Sequence, residues 1–228
     1  MHGNFAGEVV SDLKYRPEGV RIKHAYGLNS VKLYDKQGQV LRVETTIQDA
    51  RELKVYRPAG DDPAGELKWQ ELRKGVADLH RRCELSQAAN ERYLEALAAV
   101  ESPVPLGDLS GPLCHRLVRD GRRYRALNPL GEGDAHLLEF VGRGEHLITG
   151  FRNRDVRGFL YAQRPKDAAA HRRQSGRVSR LLALLRAHGL IQRIPRTHRY
   201  QVTPRGREQI AAILAARAAG VDKLIEAA

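Results

Sequence analysis

The sequence predicts an α+β fold: N-terminal antiparallel strands followed by helices, then a C-terminal domain in which helices enclose one short hairpin. Three observations predict it. Apolar and polar residues alternate between residues 20 and 57, as in half-buried strands; the apolar spacing turns helical from residue 67; and helical spacing is interrupted near residues 190–203 by two short extended runs. A chain of 228 residues, 42% of them hydrophobic, has enough apolar surface for one large core or two small ones.

In the first part, VRIKHAY, SVKLYDK and VLRVETTI carry the period-two pattern, and QGQ between the last two is a glycine-containing hairpin connection. Val31, Leu33, Leu41, Val43 and Ile47 then share one face, with Lys32, Tyr34, Lys36, Arg42 and Glu44 on the other. The second set reads as a solvated face with cross-strand ion pairs. His24, Tyr26 and Tyr34 read as packing residues or nucleic-acid contacts. Pro, Gly and Asp crowd residues 57–66 and should end the sheet, with Asp61 and Asp62 as turn residues. Over residues 67–100, Leu72, Val76, Leu79 and Cys83 recur at helical spacing and Ser86 can cap a second run, so two packed helices or one long bent helix are expected. These elements form an N-terminal domain, residues 1–105.

Residues 106–132 read as a linker or arm, in which RDGRRYRALNPL is a short extended piece. A C-terminal domain then spans residues 133–228. Asp134 can cap a helix bearing Leu137, Leu138 and Val141; ITGF is extended; and Asn153 can cap a second helix with Val156, Phe159 and Leu160. QRPKDAAAHRR reads as a polar loop. In SGRVSRLLALLRAHGLI, Val178, Leu181, Leu182 and Leu185 form one stripe and Gly189 supplies the stop. QRIPRT and HRYQVT are strands around a proline-bearing tip, anchored by Ile194, Tyr200 and Val202, and Thr203 caps a final helix with Pro204 at its first position. Helix, short strand, helix, helix, hairpin, helix is the order of a winged helix-turn-helix.

The string RLLALLRAHGLIQRIPRTHRYQVTPRGRE also resembles the recognition-helix and wing region of bacterial winged-helix DNA-binding proteins, over roughly residues 133–215. The resemblance implies a helix in the DNA major groove and a wing on phosphate or minor groove. Helical rotation, with the leucine stripe inward, turns Arg173, Ser179, Arg180 and Ala183 outward and leaves Arg177 at the edge of that face. Arg193, Arg196, His198 and Arg199 form a charged wing. These arginines can grip phosphates or read guanine edges.

Charge supports that reading. The chain has 39 Lys and Arg against 27 Asp and Glu, a net charge of +12, yet residues 1–140 hold 21 of each sign. Residues 141–210 hold 16 cations and 4 anions, which concentrates the excess where a polyanion such as double-stranded DNA would lie. An anionic membrane fits less well, because the basic segment is Arg-rich, poor in large aromatics and alternates helix with strand. No run of 18 apolar residues is present, and Cys83 and Cys114 have neither metal-ligand spacing nor disulfide density, so a cytoplasmic protein without cofactor or metal is expected. The Ala-rich final segment, QIAAILAARAAGVDKLIEAA, can pair with a copy of itself as a homodimer or cover its own domain.

A shorter stretch, VKLYDKQGQVLRVET, resembles a strand pair of rolling-circle replication initiators, with Tyr34, Asp35, Lys36, Arg42 and Glu44 in the matching places. That resemblance implies a tyrosine nucleophile and a metal at a DNA phosphate, with Tyr34 and Glu44 as the candidate catalytic residues. The His-hydrophobic-His metal motif of those enzymes is missing here. The chain further resembles the C-terminal part of a group of longer, uncharacterised bacterial proteins, which implies further sequence upstream. The expected function is DNA binding through the winged helix, in a mobile-element or replication context. The alternatives are a DNA-nicking enzyme or an RNA-binding or scaffold protein.

Overall fold

Period-two alternation produces β2 (Gly19–Tyr26), β3 (Asn29–Lys36) and β4 (Val40–Thr46), and an edge strand not foreseen in the sequence, β1 (Val10–Arg16), joins them in the order β1-β2-β3-β4, all antiparallel. The structure is a computed structural model and describes residues 10–16, 19–51, 53–59, 63–73, 75–98, 103–161, 163 and 165–219. Gln37 and Gly38 both have positive φ (54° and 69°), as a tight hairpin turn between β3 and β4 requires. Leu33 faces Val43 across the strands and Val31 is fully buried, while Tyr34 faces Arg42 and Lys32 faces Glu44 on the opposite side. Leu41, expected on the apolar face, sits beside the hairpin end and is 60% exposed.

Helix α1 (Leu79–Ala98) meets the face of this sheet that carries His24 and Thr45, and buries Ala89 and Tyr93. The Thr45 hydroxyl donates to Asn90 Oδ1 at 2.8 Å, and His24 Nε2 lies 3.2 Å from the Tyr93 hydroxyl, so His24 is a packing residue. Burial lowers the His24 pKa and raises that of Tyr93. The helix is single, and Ser86 lies within it instead of capping a second one. Residues 57–66 do not end the strands: β5 (Lys54–Pro58) pairs with β6 (Leu67–Glu71), where Tyr56 and Trp69 meet across the hairpin with ring centroids 5.4 Å apart. Aromatic cross-strand packing outweighs the helical spacing that Leu72 and Val76 suggest. Asp61 and Asp62 lie outside the described residues.

The chain divides into two units, one formed by the residues up to Leu94 with Leu147–Thr149, the other by Glu95–His146 with the residues from Gly150 onward. The division falls inside α1, ahead of the expected 105/106 boundary. Residues 106–132, expected as linker or arm, fold as part of the second unit. They form α2 (Leu106–Ser110), a 3-10 turn (Gly111–Cys114) and a hairpin of β7 (Leu117–Arg119) and β8 (Arg122–Tyr124), and they bury Leu109, Leu113 and Leu127. A composition rich in Pro and Gly marked turns between short elements there, not a free tether.

The rest of the chain continues as α3 (Glu132–Val141), α4 (His146–Thr149), β9 (Phe151–Arg152), α5 (Asn153–Leu160), α6 (Ala168–Ala187), β10 (Ile191–Arg193), β11 (Arg199–Val202) and α7 (Pro204–Ala218). β11 lies between β10 and β9 in a small antiparallel sheet. Leu138, Phe151, Val156, Val178, Leu185 and Ile213 are each fully buried in one core beneath that sheet and its helices. Thr203 caps α7 as expected, its hydroxyl accepting from the Gly206 N–H at 2.9 Å. Gly206 is required by close approach, since a Cβ there would lie 2.1 Å from the Leu190 carbonyl oxygen. The stripe of α7, with Ile210 and Ile213 buried, covers its own unit; residues 220–228 lie outside the described residues. Among the described residues no helix is long and apolar enough to cross a membrane.

Candidate nucleic-acid interface

Helix α6 is the centre of the basic surface. It begins at Ala168, inside the segment expected as a polar loop, because Asp167 caps it by accepting from the Ala170 N–H at 2.6 Å and three alanines follow. Val178, Leu182 and Leu185 face the core, with Leu181 half-buried beside them. The opposite side exposes Arg173, Arg177, Ser179 and Arg180, as the helical rotation predicts. Asn153 does not cap α5. The Asp155 carboxylate takes that role by accepting from the Arg152 N–H at 2.7 Å, and the Asn153 side chain donates to the Ser175 carbonyl and to Ser179 Oγ, each at 3.0 Å, tying α5 to α6.

The β7–β8 hairpin lies along this helix and adds arginines that sequence reasoning left out of the site. Asp120 and Gly121, both at positive φ (51° and 70°), make its tight turn. Arg119 donates to the carbonyls of Arg186 and Ala187 at 2.8 and 3.3 Å, placing a cation on the carbonyl end of α6 where the helix dipole favours it. His188 Nε2 lies 2.9 Å from the Arg125 carbonyl. Arg125 in turn grips Asp134 through two bonds of 2.7 and 2.6 Å. Asp134, expected as a helix cap, is instead this latch and also accepts from the Asn128 N–H at 2.8 Å. Its burial opposes ionisation, yet the Arg125 fork and the Asn128 N–H prevail and hold its carboxyl below the usual range.

The third part is the β10–β11 hairpin. Thr197 N–H donates to the Ile194 carbonyl at 3.2 Å across a turn with Pro195 second and Arg196 third, and Arg196 has φ of 58°, as a type II turn demands at that place. Arg193, Arg196 and His198 are exposed, and Arg193 Nε donates to the Thr197 carbonyl at 2.9 Å. Arg199 does not join them. It is 2% exposed and its guanidinium donates to the Gly150 carbonyl at 3.0 Å, because β11 is flanked by β9 and turns this side chain under the sheet.

Two open grooves unite these parts. One runs between Arg119 and Arg122 of the arm, Ala183 and Arg186 of α6, and Arg193 of β10, with Asp120 as the acid on its rim. The other brings Arg122, Arg123 and Arg125 beside Arg177 and Arg180. Arm, helix and hairpin therefore share one cationic surface. The signal for the arm was local: residues 116–125 hold five arginines and one aspartate, a cluster hidden by the even balance of residues 1–140 as a whole.

Tyr34 and Glu44 belong to the other unit. The Arg42 guanidinium lies 4.8 Å from the Tyr34 ring centroid and pairs with Glu44 at 2.9 Å, so the expected cross-strand ion pair forms along β4 instead. Among the described residues no three His, Cys, Asp or Glu side chains gather as a metal site. Comparison of the chain with protein-family models, curated proteins and solved structures gave no match.

Proposed function

We propose that the second unit is a winged helix-turn-helix that binds double-stranded DNA, with α6 as the recognition helix, β10–β11 as the wing and β7–β8 as an additional arm. The observation that carries this reading is the convergence of arginines from three separate elements on the two grooves along α6. The element order and the position of β11 between β10 and β9 support it. A helix about 10–12 Å across fits the major groove, about 12 Å wide, and leaves hairpins on either flank to meet the phosphate strands. In this arrangement Arg173, Arg177 and Arg180 approach base edges or phosphates from the helix, Ser179 braces α5, and Arg193, Arg196 and His198 contact the backbone from the wing.

The test is equilibrium binding of labelled duplexes at several salt concentrations, with fragments selected from random DNA to define any preferred site. Reversing Arg177 and Arg180 to Glu should abolish binding while leaving the fold intact, because both side chains are exposed. Retention of full duplex affinity by that variant would refute the assignment of α6. Stronger binding to an RNA duplex than to DNA of the same sequence would shift the reading to RNA.

A further inference from the structure

We infer that the open face of the β1–β4 sheet is a second nucleic-acid surface, one that takes a single strand. The inference is independent of the duplex-binding reading. It starts from register: Lys14, Arg21, Tyr34 and Arg42 lie side by side across all four strands, three cations around one aromatic and no acid in the row. Lys36 follows two residues on along β3, on the same face. In the neighbouring row Lys23 and Lys32 face each other on the two central strands, flanked by Asp12 and Glu44 at the edges. Glu44 pairs with Arg42 at 2.9 Å, so a phosphate at Arg42 shares that guanidinium with Glu44.

Edge protection explains charges on β1 and β4, where they discourage pairing with other chains, but not on β2 and β3, which already have neighbours on both sides. Lys23 and Lys32, directly opposite each other, add two cations to the central strands, with Asp12 opposite Lys23 and Glu44 opposite Lys32 on their outer sides. Arg21, Tyr34, Lys36 and Arg42 also surround a recess of about 200 Å³, with Asp35 on its wall. That Asp35 carboxylate is turned to its own hairpin, accepting from the Gly38 N–H at 3.0 Å.

Size and shape choose the ligand. The recess is smaller than the roughly 300 Å³ at which pockets for whole small molecules begin, and so fits one repeat of an extended chain. Four strands at about 4.8 Å spacing span about 14 Å before side chains, too wide to enter an undeformed major groove of about 12 Å. A single strand can lie on such a face, with phosphates on the cations and a base against the Tyr34 ring in place of the Arg42 guanidinium, which lies 4.8 Å from the ring centroid. This is the combination by which sequence-tolerant single-strand binders work.

The experiment uses the full chain, a labelled 20-nucleotide single strand and the duplex of the same sequence, followed by fluorescence anisotropy at two or more salt concentrations. Lys36→Glu, at an exposed position, and Tyr34→Leu should each weaken single-strand binding at least tenfold and leave duplex binding unchanged. Arg177→Glu with Arg180→Glu should do the reverse. Circular dichroism of each variant establishes that it is folded, and Lys36→Gln, a milder change, should give an intermediate loss. Single-strand affinity that follows Arg177 and Arg180 and ignores Tyr34 and Lys36 would overturn the proposal. So would a Tyr34→Leu variant whose only defect is shared equally by polyglutamate or anionic vesicles, since stacking would then contribute nothing.

Discussion

Arg196 and Arg199 are three residues apart and have opposite fates. Arg196 is exposed at a positive φ, a conformation that costs an L-residue about 1 kcal/mol and glycine almost nothing. Arg196→Gly should therefore keep or raise the melting temperature while reducing the salt slope of duplex binding by about 0.9, the share of one phosphate contact. Arg199→Ala should leave that slope alone and destabilise the fold by about 1–3 kcal/mol, because it removes a buried donor to the Gly150 carbonyl. Denaturant titration beside salt-dependent binding separates the two. His146 gives a pH signature. It is 3% exposed between Phe140 and Phe151, and burial, assisted by the Arg143 charge, depresses its pKa from 6.5 to about 3. The folded chain keeps the ring neutral while the unfolded chain takes a proton near pH 6.5, so its contribution is complete above pH 6.5 and declines as pH falls toward 3. The slope is about 1.4 kcal/mol per pH unit. Urea unfolding at pH 7 and pH 5 should show a loss of about 2 kcal/mol that His146→Phe largely removes; an equal loss in both proteins would refute it.

Among the elements, the arm is the most open to test. It is held by Arg119 on the end of α6, by His188 on the Arg125 carbonyl and by the Arg125–Asp134 fork. Arg122→Ala with Arg123→Ala, at its exposed end, should lower the salt slope by close to two without loss of stability. Asp134→Asn should release the fork and weaken duplex binding while all basic residues remain, and nuclear magnetic resonance of the Arg122 and Arg123 amides would report the freed hairpin. The α6 stripe, the Thr203 cap and the Gln37–Gly38 hairpin were legible in the sequence because each is decided within a few residues. The β6 strand was misread because Leu72, Val76, Leu79 and Cys83 satisfy a helical period by position, whereas Trp69 is committed to Tyr56 across the hairpin. The arm was read as linker because Leu113 and Leu127 find their partners only in the folded core.

For the whole molecule, the uneven distribution of charge sets the strongest expectation. If about six arginines of arm, helix and wing neutralise phosphates, duplex affinity should fall about a thousandfold between 50 and 200 mM salt; a change of less than tenfold would mean that the surface is not engaged. Periodicity and composition alone determined the antiparallel strands, the buried stripe and outward arginines of α6, and the location of the basic excess, since each depends on neighbours in the chain or on simple counting. Only the tertiary structure decided that Arg199 lies under the sheet, that the arm joins α6, and that Tyr34 stands in a row of cations. Those facts depend on contacts such as Arg119 with Arg186 or Arg199 with Gly150, formed between residues far apart in sequence, whose burial and hydrogen bonding no local period encodes.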